Sequence, residues 1–252
     1  FEFNLFEHCD GEGEIVTVKT SDQKIRNNTF RDCYGMLTLR GGNRNTVEGN
    51  FFISNDVKQG TQGVRLYGDD HRVINNYFQG LDGPAIIMPN GDFEGARRTE
   101  KEGAIGRTYL RSRHTVIAFN TVIDCRKECF LIGDARAEYP LSPIDCIIAN
   151  NLIVSREGSF VKFLSRGNQL KWLGNIFWAT GPKANLGFEF SDQVVRMADP
   201  HLVKTEALWR IHEDSPARDG SIGSFPEIKT DIDGQPRDSK PDVGADEYSA
   251  FS

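Results

Sequence analysis

The sequence has no apolar run approaching the roughly 18–20 residues that a membrane-spanning helix requires, so nothing in it calls for a membrane. Its five cysteines, Cys9, Cys33, Cys125, Cys129 and Cys146, show neither C-x-x-C nor zinc-ribbon spacing, which sets aside a zinc knuckle or a dithiol redox motif. Positive charge is not in excess. With 30 Lys+Arg against 36 Asp+Glu the net charge is −6, a balance that argues against a nucleic-acid partner. No stretch of useful length has helical period, and leucine is too sparse for a leucine-rich repeat. The chain opens at Phe1 without a Met or a signal-type apolar region, as a mature or partial chain would.

What remains is a folded, all-β composition. The 252 residues are 38% hydrophobic and 26% charged, within the range of globular domains. An internal repeat organises them. An Asn followed two places later by an aromatic or β-branched residue recurs at Asn4, Asn28, Asn50, Asn76, Asn120, Asn151 and Asn175, at intervals of 24, 22, 26, 44, 31 and 24 residues. Most repeats add a second short apolar segment: GMLTLR (35–40), GVRLYG (63–68), GPAIIM (83–88) and CFLIG (129–133). Such segments, bounded by Gly, Asn and Asp, read as strands. The pattern predicts a right-handed parallel β-helix over residues 1–196, one coil per repeat, with a Pro- and Asp-rich tail (197–252) packing along or capping the coils. Coils stack about 4.8 Å apart, so an Asn at each inward bend can pair its amide with those above and below. Asn also tolerates the left-handed backbone of a sharp bend. Cys9 and Cys33, one repeat apart, are a stacked pair, a disulfide or simply small buried residues.

The longest interval carries a basic insertion with Arg97, Arg98, Lys101, Arg107, Arg111, Arg113 and His114, either a solvated loop or part of a binding face. The chemistry gathers elsewhere. Glu12 and Glu14 are two apart in GEGEIVTVK, hence on one face of a strand. Lys19 follows, Arg40 comes 21 residues later and Arg65 a further 25, close to one coil each, which predicts a column Lys19–Arg40–Arg65. Strict alternation puts Lys19 on the face opposite Glu14, so the column needs a bend or bulge within residues 15–18. Two carboxylates without an adjacent base suit Ca²⁺, although that ion takes six to eight oxygens. Cations beside them suit a polyuronate. Neutralising the sugar carboxylate acidifies C5–H, an amine can remove that hydrogen, and the C4–O4 bond breaks by β-elimination. Ordinary surface salt bridges would also account for the spacing. A separate candidate is Asp69-Asp70-His71, a carboxylate pair that fits a β-helix glycoside hydrolase or an Asx turn before the next strand.

The stretch GEGEIVTVKTSDQKIRNNTFRDCYGMLTLRGGNRNTVEGNFF resembles the catalytic region of polysaccharide lyase family 6, the alginate lyases and chondroitinase B, through E-x-E-x-x-x-x-K and an Arg 21 residues beyond the Lys. The likeness continues through GVRLYGDDHRVINNYFQGLDG, SPARDG and DIDGQPRDSKPDVGADEYS. It implies Ca²⁺ ligation by Glu12 and Glu14, Lys19 as base, Arg40 as acid, an anionic polysaccharide substrate and a secreted or periplasmic location. Arg65 matches an Arg of the alginate-cleaving members that neutralises the uronate carboxylate, which favours alginate over dermatan sulfate. The family's R-H-G reads Arg40-Gly41-Gly42 here, and its third calcium ligand would precede Phe1, so the chain resembles the C-terminal portion of such an enzyme. A non-catalytic carbohydrate-binding β-helix is the remaining alternative.

Overall fold

The computed structural model describes residues 1–55, 57–93, 109–189, 194–206 and 208–249. Among them there is no helix; parallel strands wind into a solenoid with three faces. The first face stacks Glu14–Val18, Gly35–Leu39, Thr61–Leu66, Ile86–Met88 and Glu128–Ile132. Leu5–Glu7, Thr29–Arg31, Phe51–Ile53, Tyr77–Gln79 and Thr121–Ile123 make the second. A third, six-stranded face runs from Lys24–Arg26 to Lys171–Leu173. The long strand Leu152–Phe163 joins the first two faces into one sheet, its start pairing with Thr121–Ile123 and its end with Glu128–Ile132.

Most of these strands are three residues long because each needs to bury only one side chain between two outward ones. Ile25, Val47, Val73, Ile117 and Ile148 stack in register on the third face, each fully buried. On the second face Phe6, Phe30, Phe52 and Phe78 stack ring on ring at 4.7, 4.6 and 4.9 Å. Leu39, Leu66, Met88 and Ile132 close the interior from the first.

The repeating Asn forms an unbroken ladder between the third and second faces. Each Nδ2 donates to the Oδ1 of the next, from Asn4 through Asn28, Asn50, Asn76, Asn120 and Asn151 to Asn175, at 2.9–3.0 Å. The left-handed backbone expected at these asparagines belongs to the residue before each of them. Phe3, Asn27, Gly49, Asn75, Phe119, Asn150 and Gly174 have φ between 53° and 64°. The ladder Asn thereby keeps its own backbone in the strand-like region and aims its amide inward.

Beyond the coils, Leu202–Thr205 and Leu208–Ile211 form an antiparallel hairpin, and the following segment runs along the flank. Two of the left-handed asparagines hold it. Asn75 donates to Thr230 O at 2.7 Å and Asn150 to Ile222 O at 3.1 Å. Arg237, its side chain 1% exposed, pairs with Glu247 at 2.9 Å and lies 4.6 Å from the Phe119 ring centroid. All five cysteines are free; Cys9 and Cys33 stack through a backbone N–H to Sγ contact of 3.4 Å instead of a disulfide.

Removing one rung of the ladder should be costly. Asn76→Ala deprives the Asn50 N–H and amide of their acceptor and leaves Val47 O without its side-chain donor. The expected loss is about 3 kcal/mol in urea unfolding, whereas exposed Asn168→Ala should stay within about 0.5 kcal/mol.

Candidate active site

The strand Glu14–Val18 begins with a register slip: Glu14 lies opposite Met36, but Val16 lies opposite Leu37. Ile15 is the extra residue. Ile15 and Val16 both pack on the core, so Glu14 and Thr17 project from the same outer side, where Thr17 Oγ1 donates to Glu14 Oε2 at 2.5 Å. Alternation then resumes. Val18 is buried and Lys19 emerges exposed on the side of Glu14. The bulge that a shared face demanded is therefore present.

Lys19 adjoins Arg40, since Arg40 and Gly41 both donate backbone N–H groups to Val18 O, at 2.9 and 3.2 Å. On the next coil Tyr67 donates to Leu39 O at 2.9 Å, so the column through Lys19 and Arg40 continues to Tyr67. Arg65 stands instead in the adjoining column, opposite Thr38, which is opposite Thr17. The expected column Lys19–Arg40–Arg65 is thus corrected. Arg40 stacks on Tyr67, so Arg65 sits two residues back on the same outer face, and the register slip between Gly35 and Leu37 supplies one of those two residues.

The arginines meet through Glu14. Arg65 Nη2 donates to Glu14 Oε1 in a close ion pair, and Arg40 Nη1 lies 3.5 Å from Oε2. On its other side Arg40 Nη2 donates to Tyr109 Oη at 2.9 Å, with the guanidinium carbon 5.4 Å from that ring's centroid. Tyr109 packs against Tyr67 and Tyr139, centroids 4.6 and 5.5 Å away, and its backbone N–H donates to Asp92 at 2.6 Å. Burial pushes the Tyr67 phenol up to about 12. Partial burial disfavours the charged form of Arg40, but the neighbouring Tyr109 and Glu14 outweigh it and raise its pKa above the usual arginine value. The arrangement makes Arg40 a poor proton donor and a persistent positive charge.

Lys19 and Glu12 are exposed and have no hydrogen-bond or ion-pair partner among the described residues. Glu12 and Glu14 do not fit a calcium site by themselves. Glu14's two oxygens already accept from Arg65, Arg40 and Thr17, and no third carboxylate, His or Cys joins the pair among the described residues. The acidic groups close enough to share a metal lie elsewhere, at His212, Glu213 and Asp214 and at Asp231, Asp233 and Asp246. In the second of these Arg210 already bridges Asp233 and Asp246.

The sequence reading missed Tyr109 and Tyr67. Tyr67 was within reach of it, two residues past Arg65 in GVRLYG and so on the same face. Tyr109 lies within the longest interval's insertion, where no repeat position marks it. The basic residues Arg97, Arg98, Lys101 and Arg107 lie outside the described residues.

The family model of chondroitinase B matches residues 1–164. The chain belongs to the chondroitinase B family. Among solved structures, the family 6 alginate lyase AlyGC is 25% identical with a TM-score of 0.69, over 100% of this chain and 31% of that one. A mannuronic acid-specific family 6 lyase from human gut microbiota is 26% identical, TM-score 0.59, over 72% of this chain and 40% of its own. A family 6 polysaccharide lyase from Pseudopedobacter saltans is 26% identical, TM-score 0.56, over 82% and 52%. The chain thus spans 31–52% of the length of these structures. No curated protein matches it.

In this chondroitinase B family chain the Asp69-Asp70-His71 cluster is occupied with structure. Both oxygens of Asp69 accept from Arg113, at 2.9 and 2.5 Å, and Asp70 faces His114 at 3.5 Å. His71 is fully buried; Nδ1 accepts from the Asn45 N–H at 3.1 Å and Nε2 lies 2.9 Å from Tyr67 O. The neutral ring protonated at Nε2 satisfies both, and burial lowers its pKa below the usual histidine value. The unfolded chain takes up this proton near pH 6.5 while the folded one does not, so stability falls as pH drops below that value. Urea unfolding at pH 7 and pH 5 should show a smaller acid loss for His71→Gln than for wild type; equal losses would remove His71 as the cause.

Proposed function

We propose that this chain carries the catalytic face of a lyase that cleaves a polyuronate, alginate, by β-elimination. One observation carries the reading: Glu14 holds the Arg40 and Arg65 guanidinium groups together on the outer face from which Lys19 emerges, unpaired among the described residues. The chemistry follows from that charge arrangement. A uronate carboxylate docks on Arg65, which withdraws electron density from C5. Lys19, without an ion pair among the described residues, takes the C5 proton in its amine form. Charge that develops on the carboxylate is held by Arg65 and Arg40, the C4–O4 bond breaks, and a C4=C5 double bond remains.

The Ca²⁺ that the family resemblance implies enters no step here. Glu14 is taken up by guanidinium groups, and Glu12 alone is a single carboxylate. Alginate is favoured over dermatan sulfate by Arg65 and by the alginate and mannuronate lyases among the structural neighbours. A polymeric substrate of this kind places the protein outside the cytoplasmic membrane, secreted or periplasmic. The glycoside hydrolase alternative is disfavoured because Arg113 already engages the Asp69 carboxylate.

Incubation with alginate separates the readings. A lyase yields the ultraviolet absorbance of a conjugated, unsaturated uronate, a hydrolase yields reducing ends only, and a binding module yields neither. Lys19→Ala should lower turnover at least about 100-fold with an unchanged circular dichroism spectrum, and an unaltered rate would remove Lys19 as base. Arg65→Ala should raise KM more than it lowers kcat.

A further inference from the structure

Where the chain turns from the second face to the first, two thiols stack on successive coils. Leu5–Glu7 and Thr29–Arg31 pair in register, Glu7 opposite Arg31. The chain leaves both strands in step, since His8 and Asp32 each turn it with φ 50°. Cys9 and Cys33 follow at equivalent positions. The Cys9 N–H donates to Cys33 Sγ at 3.4 Å, as the Asn4 N–H donates to Asn28 Oδ1 at 3.0 Å in the asparagine ladder. Both thiols also point the same way, each toward the carbonyl two residues earlier: Cys9 Sγ lies 3.7 Å from Glu7 O and Cys33 Sγ 3.4 Å from Arg31 O.

The likeness to the ladder stops at strength. An amide rung makes good hydrogen bonds, whereas a thiol is a weak donor and a weak acceptor. Stacked thiols can instead join covalently. Neighbouring parallel strands lie about 4.8 Å apart, inside the Cα separation of about 4.4–6.8 Å that a disulfide spans.

We infer that Cys9 and Cys33 are a cross-linking site, oxidised to a disulfide that staples the coil of Leu5–Glu7 to the coil of Thr29–Arg31. The inference stands apart from the lyase reading. Leu5–Glu7 ends its sheet and, among the described residues, pairs on one side only, so its coil has the fewest other ties. The staple also sits where the chain enters the candidate site. Cys9 lies five residues before Glu14, and Cys33 lies two before Gly35, which begins the strand leading to Arg40. Cys125, Cys129 and Cys146 are fully buried, which keeps them from an oxidant while the chain is folded.

The oxidant is an external disulfide. Cys9, the partly exposed thiol of the pair, attacks it as the thiolate; a mixed disulfide forms and one thiol of the oxidant departs. Cys33 then attacks Cys9 Sγ, the internal S–S bond forms and the second thiol of the oxidant leaves. Two protein thiols are oxidised, one external disulfide is reduced, and the two protons pass to the departing sulfurs. Burial pushes the Cys33 thiol up to about 11, so the second step is the slower one and quickens as pH rises.

The test is incubation of the folded chain with glutathione disulfide at about pH 8, followed by thiol counting in denaturant and tryptic mass mapping. Two of the five thiols should disappear, and peptides 1–19 and 32–40 should appear joined, two hydrogens lighter than their sum. The melting temperature should rise by about 5–10 °C and fall back on reduction, with no such rise in Cys9→Ser. Five remaining thiols, separate glutathione adducts on Cys9 or Cys33, or a bond between Cys125 and Cys129 in place of the expected one overturns the site. The expected bond without a rise in melting temperature overturns the staple.

Discussion

Every coil of this solenoid must return to the level of its neighbour, about 4.8 Å away, and the corner asparagines enforce that return. A buried amide has two donors and an acceptor to satisfy. Asn76 meets all of them by bonding Asn120 Oδ1, two carbonyls and the Asn50 amide. The bonds hold even where the sequence is irregular: the rung from Asn76 to Asn120 spans 44 residues at 3.0 Å, and that from Asn120 to Asn151 spans 31 at 2.9 Å. Insertions are therefore pushed out of the corner and into loops. With the corner fixed, side chains from different coils meet on the first face in a register that sequence distance alone does not set.

Within that frame two local irregularities build the site. The extra residue at Ile15 lets two neighbouring apolar side chains face inward, which carries Glu14, Thr17 and Lys19 to one outer side. On the next coil, where the slip between Gly35 and Leu37 adds one of the two extra residues, Arg65 falls at the level where it reaches Glu14 instead of standing over Arg40. Glu14, with 16% of its side chain exposed, is the centre of this arrangement. A partly buried carboxylate between two guanidinium groups is strongly held, and without it the two like charges would separate.

The coil count, the Asn ladder and the outward set Glu14, Lys19, Arg40 and Arg65 were legible in the sequence because each depends on periodicity and alternation. The need for a bulge was legible too, as a conflict between alternation and a shared face. What escaped was set by contacts without a period. Tyr109 meets Arg40 across 69 residues, brought there by the insertion and by stacking on Tyr67, not by any repeat position. The left-handed corner residue proved to be the one before each ladder Asn, since the amide can point inward only if its neighbour turns the chain. At Asn75 and Asn150 that neighbour is again Asn because its side chain also holds the tail. The pairing of Asp69 with Arg113 depends likewise on a residue of the insertion.

The charge balance of the face sets what it can bind. Glu14 offsets one of the two arginines, so the cluster keeps an excess of positive charge within a chain whose net charge is −6. That excess is the complement of a uronate carboxylate. In the proposed elimination negative charge would grow first beside C5 and then on O4, and cations that persist through both stages would stabilise it. The bond from Arg40 Nη2 to Tyr109 Oη and the contact with Glu14 hold one of these cations in place on the face.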